Sequence, residues 1–283
     1  MFKSMSGIQK TGLFIVTSIL LISVFAPLLA PHDPHKLGIP YQRPSGSHIL
    51  GTNDVGQDIF SELIYGSRIS LLVGMTAAAV STFAGVILGL SAGYFGGITD
   101  RIITQIINIA MAVPSLPITI VLAAYLDASI WNIIIAICIT SWVSAARIIR
   151  TRTKQICAMP FVMIEKTLSA GSFHIMFRHI LPNFAEVVFI RGILAVSGAM
   201  LTEASLSFLG LGVFNQKSWG GILHYAFFRN GILNGYYWWY VPPILCISLS
   251  VLGFMLIGYY PNEESSASSQ RSPKGGHSHA ADL

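Results

Sequence analysis

Charge is what this 283-residue chain has least of: Asp, Glu, Lys and Arg supply 10% of it, against 53% hydrophobic residues. Mean hydropathy is +0.65. An ordinary soluble domain carries about 25% charged residues, so that class is excluded. Cysteine is scarce too. Cys138, Cys157 and Cys246 have no paired spacing, which excludes a disulfide framework and a cysteine-rich zinc site. No G-x4-G-K-[ST] phosphate loop is present, and no lysine even follows a glycine, so nucleotide hydrolysis through that motif is excluded. Neither a Ser/His/Asp arrangement nor H-E-x-x-H appears. An intramembrane enzyme is left with only Arg191 and Glu203 to build on. The net charge of +5 raises the question of nucleic acid. The basic residues sit at the ends of apolar runs, however, so membrane orientation accounts for them and no nucleic-acid partner is expected.

What the chain does have is long apolar runs. Lys3 and Lys10 precede an uncharged stretch over 11–31, enough at about 1.5 Å per residue to cross a hydrocarbon core of about 30 Å. A cleaved signal peptide is the rival reading; the length and Pro27 favour a retained span. Residues 32–68 form a polar extracytoplasmic segment whose last part, from Ile59, has helical periodicity. Further spans are expected at about 69–95, 102–125, 130–146, 183–206 and 241–260. The second holds Gly85, Gly89 and Gly93, a four-residue spacing that lets helices approach closely. The third carries Pro114 and Pro117 near its middle, a break tolerated where a helix faces protein or a water-filled path. The aromatics of Tyr236 to Tyr240 read as an interfacial belt before the last span. Residues 261–283, rich in Ser, Gly and charge, read as a disordered tail in which His277 and His279 are a weak metal pair.

The one long polar interruption is 147–182. It carries Arg147, Arg150, Arg152, Lys154, Lys166 and Arg178 against a single acid, Glu165. A basic connector between two spans belongs on the cytoplasmic side. A short helix over 161–168, a turn over 169–172 and a second short helix before Pro182 are expected. Such a knob is either a grip for a soluble partner or a solvated loop that only sets orientation.

Two other groups stand out. Arg191 and Glu203 lie inside an apolar span, where charges face a cavity or a partner; snorkelling is the alternative for Arg191. His48, Asp54 and Asp58 have metal-ligand chemistry, but Asp54 and Asp58 read better as caps of turns and helix starts, so no metal ligand is assigned.

Three stretches, in order, resemble the permeases of ABC importers for dipeptides, oligopeptides and nickel. They are Leu50-Gly-Thr-Asn-Asp54 through Ile69-Ser-Leu71, the loop from Phe161 to Arg178-His-Ile-Leu-Pro-Asn183, and Leu201-Thr-Glu-Ala-Ser-Leu-Ser-Phe-Leu-Gly-Leu-Gly212. The middle one is similar to the family's E-A-A-x3-G…I-x-L-P loop, with departures. Met163 stands for the usual Glu, Ile164 and Glu165 for two alanines, and Ser169 for Gly; beyond the last span, Gly258-Tyr-Tyr-Pro261 also departs. The resemblance implies an all-α membrane protein of six transmembrane helices, with the type I ABC-importer permease fold, cytoplasmic termini and a place in the cytoplasmic membrane. Its parts are 1–31, 32–68, a core over 69–260 and the tail 261–283. It implies a transport subunit with no catalytic residue and no bound cofactor. The partners it implies are a homologous second permease, two ATP-binding subunits, an extracytoplasmic binding protein and membrane lipid. Phe161, Glu165, Lys166, Leu168, Ser169, Ala170, Gly171, Arg178 and Pro182 are the implied ATPase-docking residues. Pro114, Pro117, Arg191 and Glu203 are the candidates for the translocation path, which alternating access would open and close. An ATP-independent channel is the remaining alternative.

Overall fold

A computed structural model describes residues 6–259, apart from Ser169, Phe214 and the side chain of Lys166. The tail over 261–283, with His277 and His279, lies outside the described residues. Among those residues the regular structure is all helix, apart from one isolated bridge between Thr52 and Asp58.

Helix α1 (Gly7–Val24) starts four residues before the uncharged run, because Ser6 and Gln9 form a capping box. The Gln9 amide donates to Ser6 Oγ at 3.3 Å and the Ser6 amide to Gln9 Oε1 at 3.0 Å. Lys10 is thereby taken into the helix. The helix stops at Val24 rather than reaching Pro31, and Pro27 sits in the first turn of a short α2 (Ala26–Leu29), where a missing N–H costs nothing.

Helix α3 (Ile59–Phe95) is capped by Asp58, whose carboxylate accepts from the Ser61 amide at 2.8 Å. Its 37 residues span about 55 Å, so it projects well beyond the hydrocarbon. Gly96 and Gly97, both at positive φ, turn the chain into α4 (Gly97–Ala112). The expected single kinked span over 102–125 is instead two helices, α4 and α5 (Ser115–Tyr125), bent by 86° at Val113-Pro114. A proline without an N–H, preceded by a residue that it forces into extended backbone, ends α4 outright.

Helix α6 (Ile130–Cys157) runs parallel to α3: Ala77 meets Cys138, Gly85 meets Ala145, and Gly93 meets Thr153. Two parallel neighbours need a return crossing between them. The bent pair supplies it, running antiparallel along α6, with Asp100 beside Arg150, Met111 beside Arg147 and Thr119 beside Thr140. The α4–α5 pair is therefore one broken span, and the described residues form six crossings.

Beyond α6 lie α7 (Pro160–Thr167), α8 (Ser172–His174), a π turn over Ile175–Ile180 and α9 (Leu181–Asn183). Then α10 (Ala185–Leu206) crosses antiparallel to α3, pairing Thr82 with Gly192 and Gly74 with Met200. Helix α11 (Trp219–Phe228), opened by a Ser218 cap, lies where sequence reading has only a loop. Helix α12 (Tyr237–Ile257) packs antiparallel on α1: Gln9 donates to the Tyr259 carbonyl at 3.0 Å, and Gly12 faces Gly253. Residues 6 and 259 thus lie at the same end of the bundle as the 147–182 loop.

The glycine stripe does what its spacing predicts. A Cβ on Gly85 would lie 2.6 Å from Ala145 Cβ, on Gly89 2.8 Å from Ile149 Cβ, and on Gly93 2.5 Å from Thr153 Cβ. In a membrane, helices gain by contact rather than by escaping water, so this backbone approach holds α3 to α6.

At the opposite end, the 32–58 segment folds back over the starts of α3 and α12. Asn53 is buried there, donating to Gln57 Oε1 at 3.0 Å and Glu62 Oε1 at 3.1 Å. Lys217 reaches the same two groups, at 2.7 and 2.6 Å. Trp238 and Trp239 are buried against this segment, with the Tyr41 and Tyr236 rings tilted against each other, centroids 4.8 Å apart. The aromatic run is therefore largely core, with Tyr237 left outside, rather than a belt in lipid headgroups.

Candidate coupling surface and translocation cleft

The basic loop is mostly built. Its first eleven residues belong to α6, and its short helices pack inward: Val162, Ile175, Ile180 and Phe184 are buried against Val86 and Leu90 of α3 and Ile149 and Ile156 of α6. With one face so anchored, the other is set outward. There Leu168 is 73% and Phe173 74% exposed, accompanied by Met163, Ile164 and Phe177. Phe173 and Phe177 stack in parallel, centroids 6.2 Å apart. Several large apolar side chains exposed on one short segment beside charges mark a surface for a partner.

The expected docking residues divide across this knob. Leu168, Gly171, Arg178 and Pro182 are exposed. Glu165 is half-buried with its carboxylate 3.7 Å from His179 Nε2. Phe161 and Ala170 turn partly inward onto the anchoring cluster. Ser169 and the Lys166 side chain lie outside the described residues. Sequence reading missed Met163, Ile164, Phe173 and Phe177; a signal was available, since two of them sit at the positions departing from the family pattern and all are large apolar residues in a charged loop.

The loop's cations are not all free. Arg150 and Lys154 both pair with the Asp100 carboxylate of α4, Arg150 through two nitrogens. That pairing ties the start of the broken span to the end of α6. Arg147, Arg152 and Arg178 remain exposed.

Between α3, the α4–α5 break, α6 and α10 lies a cleft of about 520 Å³ on the flank of the bundle. It is lined by hydroxyls (Ser81, Thr82, Thr140, Thr202) and by Pro114 and Arg191. The structure thus brings two of the four path candidates together. Arg191 is the cation on that wall, and it is exposed. Pro117 is exposed on α5 but does not line the cleft.

Glu203, the remaining path candidate, does not line this cleft. It is 1% exposed and bonded within the chain: Ser70 Oγ donates to it at 3.0 Å and Ser207 Oγ at 2.7 Å. Ser70 Oγ in turn accepts from the Trp219 amide at 3.3 Å. A carboxylate at this depth is tolerable because hydroxyls from two helices satisfy it. The arrangement joins α3, α10 and α11.

A second cavity of about 300 Å³ opens at the far end, lined by Asn53, Asp54, Gln57, Lys217, His224 and Arg229, among others. Burial raises the Asp54 carboxyl above its ordinary range, opposed by the Arg229 guanidinium 3.3 Å away. Asp54 is thus an ion-pair partner there, while Asp58 is the helix cap.

Residues 85–260 match the family model described as binding-protein-dependent transport system inner membrane component. The chain belongs to this family. The match takes in the broken span, the knob and the cleft lining apart from Ser81 and Thr82. Residues 10–47 match the N-terminal TM domain of oligopeptide transport permease C. Over 254 residues the chain is 36% identical to the dipeptide transport system permease protein DppC of Bacillus subtilis, covering 89% of this chain and 79% of that one. It is 36% identical to the oligopeptide transport system permease protein OppC of the same organism, covering 89% and 82%. It is 34% identical to the probable D,D-dipeptide transport system permease protein DdpC of Escherichia coli, covering 89% and 85%. These relatives are transport permeases rather than enzymes, and the chain is a multi-pass inner-membrane protein of their kind.

Proposed function

We propose that this chain is one of two permease subunits in an ATP-driven importer of dipeptides or oligopeptides. The observation that carries the reading is the apolar patch over Met163, Ile164, Leu168, Phe173 and Phe177, held outward by a buried inner face. It suits a groove on a soluble ATP-binding subunit, and the basic 147–182 loop puts it in the cytoplasm. The cleft with Arg191 faces a homologous second permease and forms half of the path. Its volume lies in the roughly 300–1,000 Å³ range of small-ligand sites. The cation on that wall meets the carboxylate of a passing peptide. An extracytoplasmic binding protein delivers the substrate to the opposite end. Two ATP-binding subunits drive alternating access by pulling the knobs of the two permeases together.

Peptide is preferred over a nickel chelate because the relatives are named for peptides. The test is uptake into vesicles carrying the assembled transporter, with labelled dipeptide, labelled tetrapeptide and radioactive nickel offered separately. Peptide uptake that requires ATP supports the reading. Nickel uptake alone replaces the substrate, and uptake without ATP makes the chain a channel.

A further inference from the structure

The segment between α2 and α3 gathers two imidazoles and a carboxylate that transport does not use. His32, His48 and Asp58 each offer one ligand atom, and the three atoms lie within 4.8 Å of one another. His48 Nδ1 is 2.9 Å from Asp58 Oδ1, and His32 Nδ1 is 3.8 Å from Asp58 Oδ2. We propose that these residues form a binding site for a divalent transition metal of zinc-like preference, which clamps the 32–58 segment onto the start of α3.

Four features carry this. First, His32 Nδ1 is buried without a hydrogen-bond partner, which a histidine kept only for packing has no reason to be. Its neighbour is a carboxylate just beyond bonding range, and an ion between the two satisfies both. Second, the spacing fits. Zinc bonds of about 2.0–2.2 Å in a tetrahedron place ligand atoms about 3.3 Å apart. His48 Nδ1 and Asp58 Oδ1, 2.9 Å apart, stand just inside that value, and the whole set lies within 4.8 Å, so a small movement of the His32 ring closes it on an ion.

Third, the carboxylate is already oriented. Asp58 Oδ2 accepts from the Ser61 amide at 2.8 Å and the Ser61 hydroxyl at 2.7 Å, while the His32 amide donates to that same hydroxyl at 3.1 Å. Oδ1, now in hydrogen-bond contact with His48 Nδ1, is the oxygen that a metal takes over when it replaces that bond, with the outer partners that ligating carboxylates need. Fourth, access is one-sided. The Asp58 side chain is 1% exposed, but His32 and His48, whose rings lie together with centroids 4.8 Å apart, are 37% and 22% exposed, so an ion reaches the site from the imidazole side. Two nitrogens and one oxygen select zinc or a neighbouring first-row ion over calcium or magnesium. Asp54, which sequence reading grouped with His48 and Asp58, is occupied by Arg229 instead. His32 takes its place, brought back 26 residues along the chain by the turn after α2.

The experiment uses the full-length chain in its assembled transporter, purified without the binding protein and stripped by chelator. Zinc alone is titrated and bound metal counted; cobalt(II) is then substituted to read the visible ligand-field bands of a tetrahedral site. The variants are His32→Ala, His48→Ala and Asp58→Asn. The last keeps an oxygen to cap Ser61, so its loss of metal is read on a folded chain. His174→Ala with His277→Ala and His279→Ala controls for three of the six other histidines, and His35→Ala, His179→Ala and His224→Ala together control for the rest. The proposal expects one zinc equivalent per chain to disappear in each of the three variants and persist in both controls. Affinity should fall by more than the roughly 10- to 100-fold that loss of an outer partner costs. Retention of that equivalent and the cobalt bands in any of the three, or a wild type without them, overturns it.

Discussion

The Ser70 hydroxyl donates a 3.0 Å hydrogen bond to the Glu203 carboxylate, joining α3 to a residue 133 positions further along the chain. Both are buried, and Ser207 holds the other carboxylate oxygen. This is a tie between helices, and it decides what substitution there does.

Glu203→Gln keeps an acceptor and adds a donor that the rotatable hydroxyls accommodate, so assembled yield and uptake should stay near wild type. Glu203→Ala leaves the Ser70 and Ser207 hydroxyls buried without that partner, at about 1–3 kcal/mol, and should lower the thermal midpoint and the yield. Uptake slowed by both variants at unchanged yield would return Glu203 to the path.

Gly89→Leu should be among the most damaging substitutions in the spans. The Cβ alone would lie 2.7 Å from the Ala146 carbonyl oxygen, so α3 and α6 have to separate. Gly89→Ala should cost about 1–3 kcal/mol by overpacking, and the leucine more. Gly198→Ala, where nothing lies within 4 Å of the added carbon, is the control and should be near neutral. Thermal unfolding in detergent checks the order.

Arg191→Ala removes the cation from the cleft wall, while Arg191→Lys keeps its charge. If the charge meets substrate carboxylate, alanine should raise the concentration for half-maximal uptake about tenfold, the equivalent of about 1.4 kcal/mol, with lysine in between. A peptide amidated at its C-terminus should be indifferent to the change. Equal losses for the free acid and the amide would assign Arg191 to packing.

Topology is checked by single cysteines in a background lacking Cys138, Cys157 and Cys246. Arg152→Cys at the loop end should label only from the cytoplasm, and Val55→Cys only from outside, since both side chains are exposed. The reverse pattern would invert the whole bundle.

Much of this fold is legible in the sequence because apolar length and glycine spacing answer to a uniform solvent. The six crossings and the Gly85-Gly89-Gly93 face follow from local pattern alone. The 86° break at Pro114 does not: a proline announces an interruption, but the angle is set by how α4 and α5 pack along α6. Trp238 and Trp239 look like a lipid belt until the outer segment is seen to cover them. The site shows the same division. Leu168 and Arg178 are readable as an outward knob, whereas the cleft joins residues from Ser81 to Thr202 that only tertiary packing brings together. Phe173 and Phe177 become visible as a patch once Ile175 and Ile180 are known to face inward.

The account rests on the exposed apolar knob as the place where ATP hydrolysis is transmitted. Its most direct measurement is ATP-driven peptide uptake by the double variant Leu168→Asp with Phe173→Asp, alongside ATPase activity and assembled permease yield. Both side chains point outward, so the bundle should insert and melt as the wild type does. Uptake should fall at least 100-fold, with substrate-stimulated hydrolysis lost. Uptake within twofold of wild type, from the same amount of inserted chain, would contradict the account.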